Sequence, residues 1–553
     1  MSFTAEPPPA SALPRIDRRQ LFRLGALGAA AGMASAAAAQ VFARGFSHGV
    51  ASGEPGPSQV LLWTRYVGSG SPASLRYEIA RDADFVRVLS GGNVEASPEH
   101  DWCAKAVATG LEPGKWYYYR FVAPDGTMSE TGRTRTLPQG SVEKWRMAVF
   151  SCSNLGFGWF NAYAHAAEAG AFDMALHLGD YFYEYPRGSY PNAEQALGGR
   201  TIWPQGEIVA LADYRLRHAS YRMDADLRRL TQLYPMVLSW DDHESANDSW
   251  RGGAQNHQRG SEGDWEARKA AAIRAYREWL PVSDSYWASY DIGDLATIFR
   301  LETRLTARDE QLQLGSLLAD GGDTMKALTE FRDAAWIDPA RAMLGAEQEE
   351  WLSEGFRTSA GAGRKWQVLA NQVVMGNLAF PDLLEGGTAP ADLAENIRNR
   401  LTAAAAAGKA GLPGNMDAWD GYPAARARLL ESALDANANL VVLAGDTHNG
   451  WACELAHGGT VAGVEFAGHS VTSPGMENSL SFMDNDRLTR ELVAFNPQLK
   501  WANLNRRGYM ALELTPGAAS CEWRFMDTVR EKSTRLSGTH RMVTASGANR
   551  FTA

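Results

Sequence analysis

The pattern of apolar and polar positions changes once along the chain, near Trp145. Before it, from about Phe46 to Pro138, short runs of β-branched and aromatic residues alternate with turns rich in Gly and Pro, which predicts strands. After it, fully apolar runs alternate with longer helical stretches such as Asn161–Ala169 and Asp213–Leu233. Strands that alternate with helices indicate an α/β layered fold. The pattern therefore predicts a small all-β unit followed by a large α/β unit.

The first unit contains three runs that predict strands, Val60–Thr64, Leu75–Ala80 and Trp116–Phe121. The last of them follows the turn Gly110–Gly114, and an aromatic strand after such a turn is typical of a fibronectin-like or Ig-like sandwich. No cluster of metal-ligand residue types occurs in this part of the sequence. We therefore predict an all-β fibronectin/Ig-like sandwich over residues 44–140, with a structural or docking role.

Five apolar runs in the second unit stop in a short polar turn. The runs are Met147–Phe150, Met174–Leu178, Met236–Trp240, Trp366–Ala370 and Leu440–Ala444. The turns that follow them carry Asp, His, Asn, Cys and Tyr residues. In open α/β sheets, ligands bind beyond the carboxyl ends of the strands. The turns therefore predict one shared site in a catalytic domain over residues 141–553.

The residue types in these turns are suited to metal ions. Asp180 directly follows a strand and could bridge two cations, and the phenol of Tyr183 is a hard donor suited to Fe(III). The run Asp241–Glu244 puts four ionisable residues in a row, and their repulsion near another carboxylate would need cations to offset it. Within that run, His243 could act as a general acid or contact a substrate.

The last turn presents Asp446 and His448 one residue apart, so both side chains could point into one cavity. Each of these turns also has a purely structural interpretation. A Gly-Asp pair is common in ordinary turns, a charged run can be a surface loop, and an Asp before a packed His can be a helix N-cap. The case for a metal site rests on the turns in combination.

Composition sets wider bounds on the function. The chain has 553 residues with 45% hydrophobic and 21% charged residues, an ordinary globular balance. The net charge of -10 argues against a protein that binds nucleic-acid backbones, although metal ions could still give an anionic substrate a positive site. None of the four cysteines forms a short-spaced pair, so we expect no dependence on disulfides.

The N-terminal residues have the features of an export signal. A basic stretch with the pair Arg18–Arg19 precedes an apolar Ala/Gly-rich run, Leu24–Ala39, and a small residue for cleavage near Ala39 or Ala43. The arginine pair resembles a twin-arginine signal. We predict a signal peptide over residues 1–43, export by the twin-arginine machinery, and a periplasmic or secreted protein. The apolar run is too short for a secure membrane span, so we expect no transmembrane anchor in the mature form.

Taken together, these motifs resemble those of the alkaline phosphatase D (PhoD) family, among the calcineurin-like and purple-acid-type metallophosphoesterases. The matching stretches are Gly49–Gly53, Leu62–Arg65, Ser151–Ser153, His177–Tyr181, Trp240–Glu244, Asn371–Met375, Asp417–Arg426, Ala444–His448, Ser473–Gly475 and Arg507–Tyr509. They cover nearly the whole mature chain. The resemblance implies a calcineurin-like layered α/β sandwich after a β-rich N-terminal domain, and a site that holds Fe3+ with Ca2+.

The resemblance also implies a role for individual residues. The iron ligands would be Cys152, Asp180, Tyr183 and His448, with Asp180 also bridging the two ions, and the second ion would face Asp242, Asn371 and Asp446. The catalytic residues would be Asp180 and His243, the latter beside the phosphate. Asn371 and Asp446 stand where wider relatives have histidines. These two departures favour oxygen ligands, and therefore calcium over zinc.

The expected function is that of an exported, metal-dependent phosphoester hydrolase. A metal-activated water would attack the phosphorus of phosphomonoesters, phosphodiesters or both, in a small-molecule or polymer substrate. The same metals would serve a phosphodiesterase or a phospholipase D, and the sequence does not choose between them. From another class, the alternative is an exported binding protein with a degenerate phosphatase domain. Arg304 and Arg308 are candidate phosphate contacts, although ion-paired arginines are the commoner case.

Overall fold

The computed structural model of the chain describes residues 43–315, 323–385, 390 and 393–552. The predicted signal peptide, except for its last residue, lies outside the described residues. The strands are β1 Gly45–Gly53, β2 Gln59–Val67, β3 Ala73–Ala80, β4 Val88–Ala96, β5 Cys103–Thr109, β6 Trp116–Val122, β7 Gly132–Arg135, β8 Trp145–Phe150, β9 Met174–His177, β10 Pro235–Leu238, β11 Ala288–Ile292, β12 Ala296–Arg300, β13 Trp366–Ala370, β14 Leu440–Ala444, β15 Gly450–His457, β16 Thr460–Ala467, β17 Leu499–Asn503, β18 Gly508–Leu514, β19 Ala518–Met526 and β20 Leu536–Ala545. The α-helices are α1 Asn161–Ala169, α2 Leu211–Tyr221, α3 Ala225–Leu233, α4 Arg259–Glu262, α5 Trp265–Trp279, α6 Thr324–Phe331, α7 Ala346–Gly361, α8 Glu395–Lys409, α9 Pro423–Asp435, α10 Met476–Ser479 and α11 Asn485–Phe495.

Two large mixed sheets lie face to face at the centre of the molecule. One has nine strands in the order β20-β19-β18-β8-β9-β10-β1-β2-β5, and the other has seven in the order β11-β12-β13-β14-β16-β15-β17. Buried side chains from both, such as Val149 of β8 and Val441 of β14, share one apolar core. Helices cover the outer faces: α1, α2, α3 and α5 pack on the nine-stranded sheet, and α7, α9 and α11 on the seven-stranded one. The predicted layered α/β architecture is therefore present.

The strands that lead to the predicted site are parallel to one another within each sheet. In the nine-stranded sheet β8 pairs with β9 and β9 with β10, all in parallel. In the seven-stranded sheet β13 and β14 are also parallel neighbours. Because these strands are short and wholly buried, they read in the sequence as continuous apolar runs. Their carboxyl ends bring the polar turns together.

The N-terminal region is all-β, as predicted, and it is built from two sheets. A four-stranded sheet, β4-β3-β6-β7, packs on β1, β2 and β5 through side chains such as Val60, Ile79 and Phe121. However, β1, β2 and β5 also belong to the nine-stranded sheet, because β1 pairs in parallel with β10, with Ser52 opposite Pro235. One layer of the N-terminal sandwich is therefore continuous with the central sheet of the α/β unit.

The long helical stretch predicted over Asp213–Leu233 is wrong in one respect, because the structure divides it into α2 and α3. The break lies at Asp224, whose carboxylate accepts hydrogen bonds from the backbone nitrogens of Asp226 and Leu227, both at 2.9 Å. An aspartate in this position caps a new helix, which begins at Ala225.

All four cysteines lie in the described residues, where each is buried as a free thiol. This agrees with the absence of a short-spaced cysteine framework in the sequence. Among the described residues, no helix is both long and apolar enough to cross a membrane.

Candidate metal centre

The predicted site residues lie in the turns that follow five strands. Cys152 follows β8, Asp180 follows β9, Asp242 and His243 follow β10, Asn371 follows β13, and Asp446 and His448 follow β14. The first two turns are joined through the backbone, since Cys152 N donates to Gly179 O at 3.1 Å and Ser153 N to Asp180 O at 2.8 Å. The nine-stranded and seven-stranded sheets therefore both contribute donors to one place.

The donor atoms of these turns form three overlapping groups. The groups are Cys152 with Asp180 and His448, Asp180 with Asp242 and His243, and Asp241 with Asp242 and Asp446. Within each group the potential ligand atoms all lie within 4.8 Å of one another. Asp180 belongs to the first two groups and Asp242 to the last two, so the three groups form one continuous row of candidate metal ligands, the donor row.

Tyr183 joins this row through its hydroxyl group. The hydroxyl lies 3.1 Å from Asp180 Oδ2 and 3.0 Å from His448 Nε2, and it accepts a hydrogen bond from Ser473 Oγ at 2.8 Å. The tyrosine is buried, which raises the pKa of its hydroxyl well above the usual value, and the charge of Asp180 raises it further. A phenolate here needs a nearby cation to stabilise it.

His448 is held in the form that binds metal ions. Its Nδ1 donates to the backbone oxygen of Pro474 at 2.9 Å, so Nε2 is the nitrogen directed towards Tyr183 and Asp180. Burial lowers the pKa of His448 to about 3, which leaves the imidazole neutral at physiological pH. A backbone carbonyl that fixes the tautomer in this way is a common partner of metal-binding histidines.

Asn371 is placed beside the last turn, but its carboxamide is already engaged. Its backbone nitrogen donates to Leu443 O at 3.1 Å, which sets it next to the end of β14. The side-chain oxygen accepts from Trp419 Nε1 at 3.1 Å, and the nitrogen donates to Val373 O. Since an amide oxygen has two lone pairs, Oδ1 keeps one acceptor position for a cation.

The electrostatics of the row favour bound cations. Burial raises the pKa of Asp180 well above its usual value, and the neighbouring carboxylates of Asp242 and Asp241 raise it further. Asp180 Oδ1 is buried and has no hydrogen-bond partner in the part of the chain that the structure describes. Burial also raises the pKa of Asp446, to about 7. A nearby cation would stabilise an unpaired, buried carboxylate oxygen. The thiol, phenol, imidazole and carboxylate groups around it are donor types that bind metal cations.

The two candidate arginines are ion-paired, as is commoner for buried arginines. Arg304 is fully buried, and it contacts Asp417 at 2.7 Å and Asp446 at 3.4 Å. Arg308 also contacts Asp417. Their charges offset those of the carboxylates around the row, so their structural role is to hold the acidic turns together.

The backbone of the site is strained at several residues. Cys152, Asp180, Asp446 and His448 have φ angles of 60°, 54°, 64° and 63°, in the left-handed region that side chains rarely adopt. Gly179 has a φ of 109°, and a Cβ atom there would lie 2.4 Å from Asp241 Cβ. Glu244 holds two of the turns, because its carboxylate accepts from the backbone nitrogens of Tyr181 at 2.6 Å and Asp241 at 2.8 Å.

Two functional candidates were missed by the sequence reasoning. Asp241 belongs to one of the three donor groups, and only its place in the acidic run beside Asp242 pointed to it. Glu184 directly follows Tyr183 and contacts His243 Nδ1 at 2.7 Å. The sequence carries no comparable signal for Glu184, because its partners come from a distant turn.

Comparison with known proteins places this centre in a family. Residues 147–523 match the model of PhoD-like phosphatases, and residues 32–138 match the model of the N-terminal domain of PhoD-like phosphatases. The first match covers more than half of the chain. The chain belongs to the PhoD-like phosphatase family. Members of this family are metal-dependent, and family membership makes the chain a phosphoric ester hydrolase.

Similar proteins agree with membership of the PhoD-like phosphatase family. The chain is 32% identical over 517 residues to alkaline phosphatase D of Bacillus subtilis (strain 168), covering 89% of this chain and 79% of that one. A solved structure of PhoD matches with a TM-score of 0.73 and 28% identity over 93% of both chains. A purple acid phosphatase from yellow lupin (Lupinus luteus) seeds shares the fold, with a TM-score of 0.52 at 11% identity, over 90% of this chain and 74% of that one.

Proposed function

We propose that this PhoD-like phosphatase hydrolyses phosphomonoesters, phosphodiesters or both at a centre that holds Fe3+ and Ca2+. The observation that carries the proposal is the overlap of the donor groups at Asp180, whose carboxylate lies within 4.8 Å of donors in two of them. A single carboxylate shared by two sets of ligands is what a bridged pair of cations requires. Family membership supports hydrolysis over the alternative of a degenerate binding protein.

The residues divide into two sets by their chemistry. Cys152, Tyr183 and His448 offer sulfur, phenolate oxygen and imidazole nitrogen, which suit iron. Asp242, Asn371 and Asp446 offer oxygen only, which suits calcium, and Asp180 would bridge the two ions. When bound, the cations would supply positive charge to the phosphate oxygens and would lower the pKa of a water molecule.

The protein side chains then orient and assist the substrate. His243 belongs to the same donor group as Asp180 and Asp242, which supports a position for it beside the bound phosphate. Burial alone would lower the pKa of His243, but the carboxylates of Asp242, Glu184 and Asp180 outweigh it and raise that pKa well above its usual value. We assign to His243 the transfer of a proton to the departing oxygen of the ester.

The metal assignment is tested by the colour of the protein. Purified without chelator, the wild-type protein should contain iron and show a purple or violet absorption band from charge transfer between the Tyr183 phenolate and Fe3+. The variant Tyr183→Phe should lose this band, because it lacks the phenolate oxygen. Elemental analysis and visible spectroscopy on the same samples measure both quantities.

A matched control is available two residues away. Tyr181 is also buried, but its ring lies 5.3 Å from His177 rather than at the donor row, so Tyr181→Phe should keep the band. Wild-type protein that contains no iron, or a band that survives in Tyr183→Phe, would contradict the iron assignment.

Hydrolysis of 4-nitrophenyl phosphate, bis(4-nitrophenyl) phosphate and a phospholipid by the wild-type protein separates the monoesterase, phosphodiesterase and phospholipase D alternatives.

Three further assignments belong to this proposal. We propose that residues 1–43 direct export through the twin-arginine machinery to the periplasm or the exterior. We also propose domain boundaries at residues 44–140 and 141–553, close to the separate family matches at 32–138 and 147–523. The fibronectin/Ig-like assignment of the N-terminal sandwich stays a prediction.

A further inference from the structure

Glu184 is a buried carboxylate that lies behind the donor row. Its Oε2 atom lies 2.7 Å from His243 Nδ1. Its Oε1 atom accepts two hydrogen bonds of 2.8 Å, from Asn247 N and from Asn256 Nδ2. The side chain is fully buried, so both oxygens are used inside the protein. Glu184 therefore joins the turn after β9 to the turn after β10.

This contact decides which nitrogen of His243 faces the centre. A carboxylate oxygen only accepts hydrogen bonds, so Nδ1 is the donor and carries a hydrogen atom. Nε2 is then the nitrogen left for a substrate. The ring also packs between two aromatic side chains, with centroid distances of 4.2 Å to Tyr183 and 5.3 Å to Tyr185. Rotation of the ring would break the Glu184 bond and both ring contacts.

The surroundings hold the carboxylate of Glu184 in one orientation. One oxygen accepts from His243 Nδ1, and the other accepts from Asn247 N and Asn256 Nδ2. Asn256 is itself held, because Arg268 Nη1 donates to its backbone oxygen at 2.8 Å. The bonds to Glu184 therefore form a fixed support for the histidine ring.

We propose that Glu184 is a positioning residue, which holds His243 with Nε2 directed at the leaving-group oxygen of the phosphoester. This inference rests on the proposed function, because it concerns how His243 meets the substrate. In the reaction, a water oxygen forms a bond to phosphorus as the ester P–O bond breaks. The bonding electrons go to the departing oxygen, which takes the proton from Nε2. The proton released by the water returns to the histidine or to solvent.

The test compares two substrates that differ in how much they need that proton. Nitrophenolate leaves readily without protonation, whereas phenolate does not. In Glu184→Gln the amide oxygen accepts from Asn247 and Asn256, and the amide nitrogen then faces Nδ1, which can no longer donate. We expect kcat for phenyl phosphate to fall about 10- to 100-fold, and kcat for 4-nitrophenyl phosphate to fall only a few-fold, with KM little changed for both.

A double-mutant cycle separates positioning from general damage. If Glu184 acts through His243, then Glu184→Gln combined with His243→Ala should be no slower than His243→Ala alone. Asn256→Ala, which loosens Glu184 without changing it, should show the same substrate bias with a smaller loss. Glu278→Gln is the matched control, since it changes another buried carboxylate, paired with Arg215 at 2.6 Å, and should leave both rates unchanged.

The kinetic results distinguish the role of Glu184 from the proposed function itself. Equal losses on both substrates, or independent losses that multiply in the double variant, would overturn the role of Glu184. Circular dichroism of each variant ensures that rates are compared per folded molecule, and Asn256→Ala supplies the test if Glu184→Gln does not fold. Wild-type protein that hydrolyses neither substrate nor the corresponding diesters would instead overturn the proposed function, which is a separate result.

Discussion

Four of the residues proposed to hold the cations have left-handed backbone conformations. Cys152, Asp180, Asp446 and His448 all have φ angles near 60°. Such a conformation costs an ordinary residue roughly 1–2 kcal/mol. The surrounding hydrogen bonds, such as those from the turn nitrogens to Glu244, stabilise these turns and offset the strain. Strain that collects at one place in a structure is typical of a functional site.

The turn at Gly179 should not tolerate a side chain at this glycine. In Gly179→Ala, the new Cβ would lie 2.4 Å from Asp241 Cβ and 2.6 Å from Asp241 N, in a backbone conformation with a φ of 109°. We expect the free energy of unfolding to fall by about 2–4 kcal/mol and hydrolysis to fall with it, because Asp180 and Asp241 would be displaced. Chemical denaturation and phosphatase assays measure the two effects.

Gly206→Ala is the control for this variant. The φ angle of Gly206 lies outside the left-handed region, and no described atom lies within 4 Å of the position of an added Cβ. This variant should keep both the stability and the activity of the wild-type protein. A Gly179→Ala variant that behaves in the same way would contradict the strain argument.

The candidate donors could be proposed from the sequence because each follows an apolar strand and has a residue type that binds metals. Glu184 also lies shortly after a strand, but its role depends on contacts with Asn247 and Asn256. Those contacts join segments about sixty residues apart in the chain. No local pattern of apolar and polar positions encodes a contact of that kind.

At the scale of elements, the short buried strands were predicted well and the helices less so. The bounds of β13, β14 and α1 agree with the apolar and helical runs in the sequence. The division between α2 and α3 was missed, because the helical pattern continues through Asp224 and only the capping bonds of that residue show the break. Helix ends depend on side-chain hydrogen bonds that the apolar periodicity does not contain.

Helix α2 carries a buried histidine that should make the protein sensitive to acid. Burial lowers the pKa of His218 to about 3, and its ring stacks on Trp279 of α5 at 6.3 Å. The unfolded chain takes up a proton near pH 6.5, before the folded protein does, so stability falls as the pH decreases from about 6.5 to 3, by roughly 1.4 kcal/mol per pH unit. We expect His218→Phe to reduce this loss, as measured by melting temperature against pH.

His457, at the end of β15, provides the comparison. His457→Asn is the control variant, because it removes a histidine that is only half-buried. An acid dependence that is identical in His218→Phe and in the wild-type protein would show that other groups dominate this pH range.

At the scale of the whole molecule, the N-terminal sandwich and the α/β unit share a sheet. The pairing of β1 with β10 joins residues that are far apart in sequence, such as Gly53 and Met236. The sequence predicted both units but not their junction, because strand pairing across such a distance leaves no trace in local periodicity. A continuous sheet implies that the two units support each other.

Calorimetry should therefore show one unfolding transition for the described units. In Gly53→Ala the added Cβ would lie 2.2 Å from Pro281 O, so the variant should lower the temperature of that single transition. Gly517→Ala, where no described atom lies within 4 Å of the added Cβ, should leave it unchanged. Two separate transitions, with only one of them affected by Gly53→Ala, would mean that the units unfold independently.

The spread of the donor row along the chain has a consequence for biosynthesis. His448 leaves the ribosome 296 residues after Cys152, so a nascent chain lacks the full set of candidate ligands until His448 has been made. Cations held by this set would then be captured only after β14 has docked beside β13. The choice of ions would depend on the compartment in which that docking step takes place.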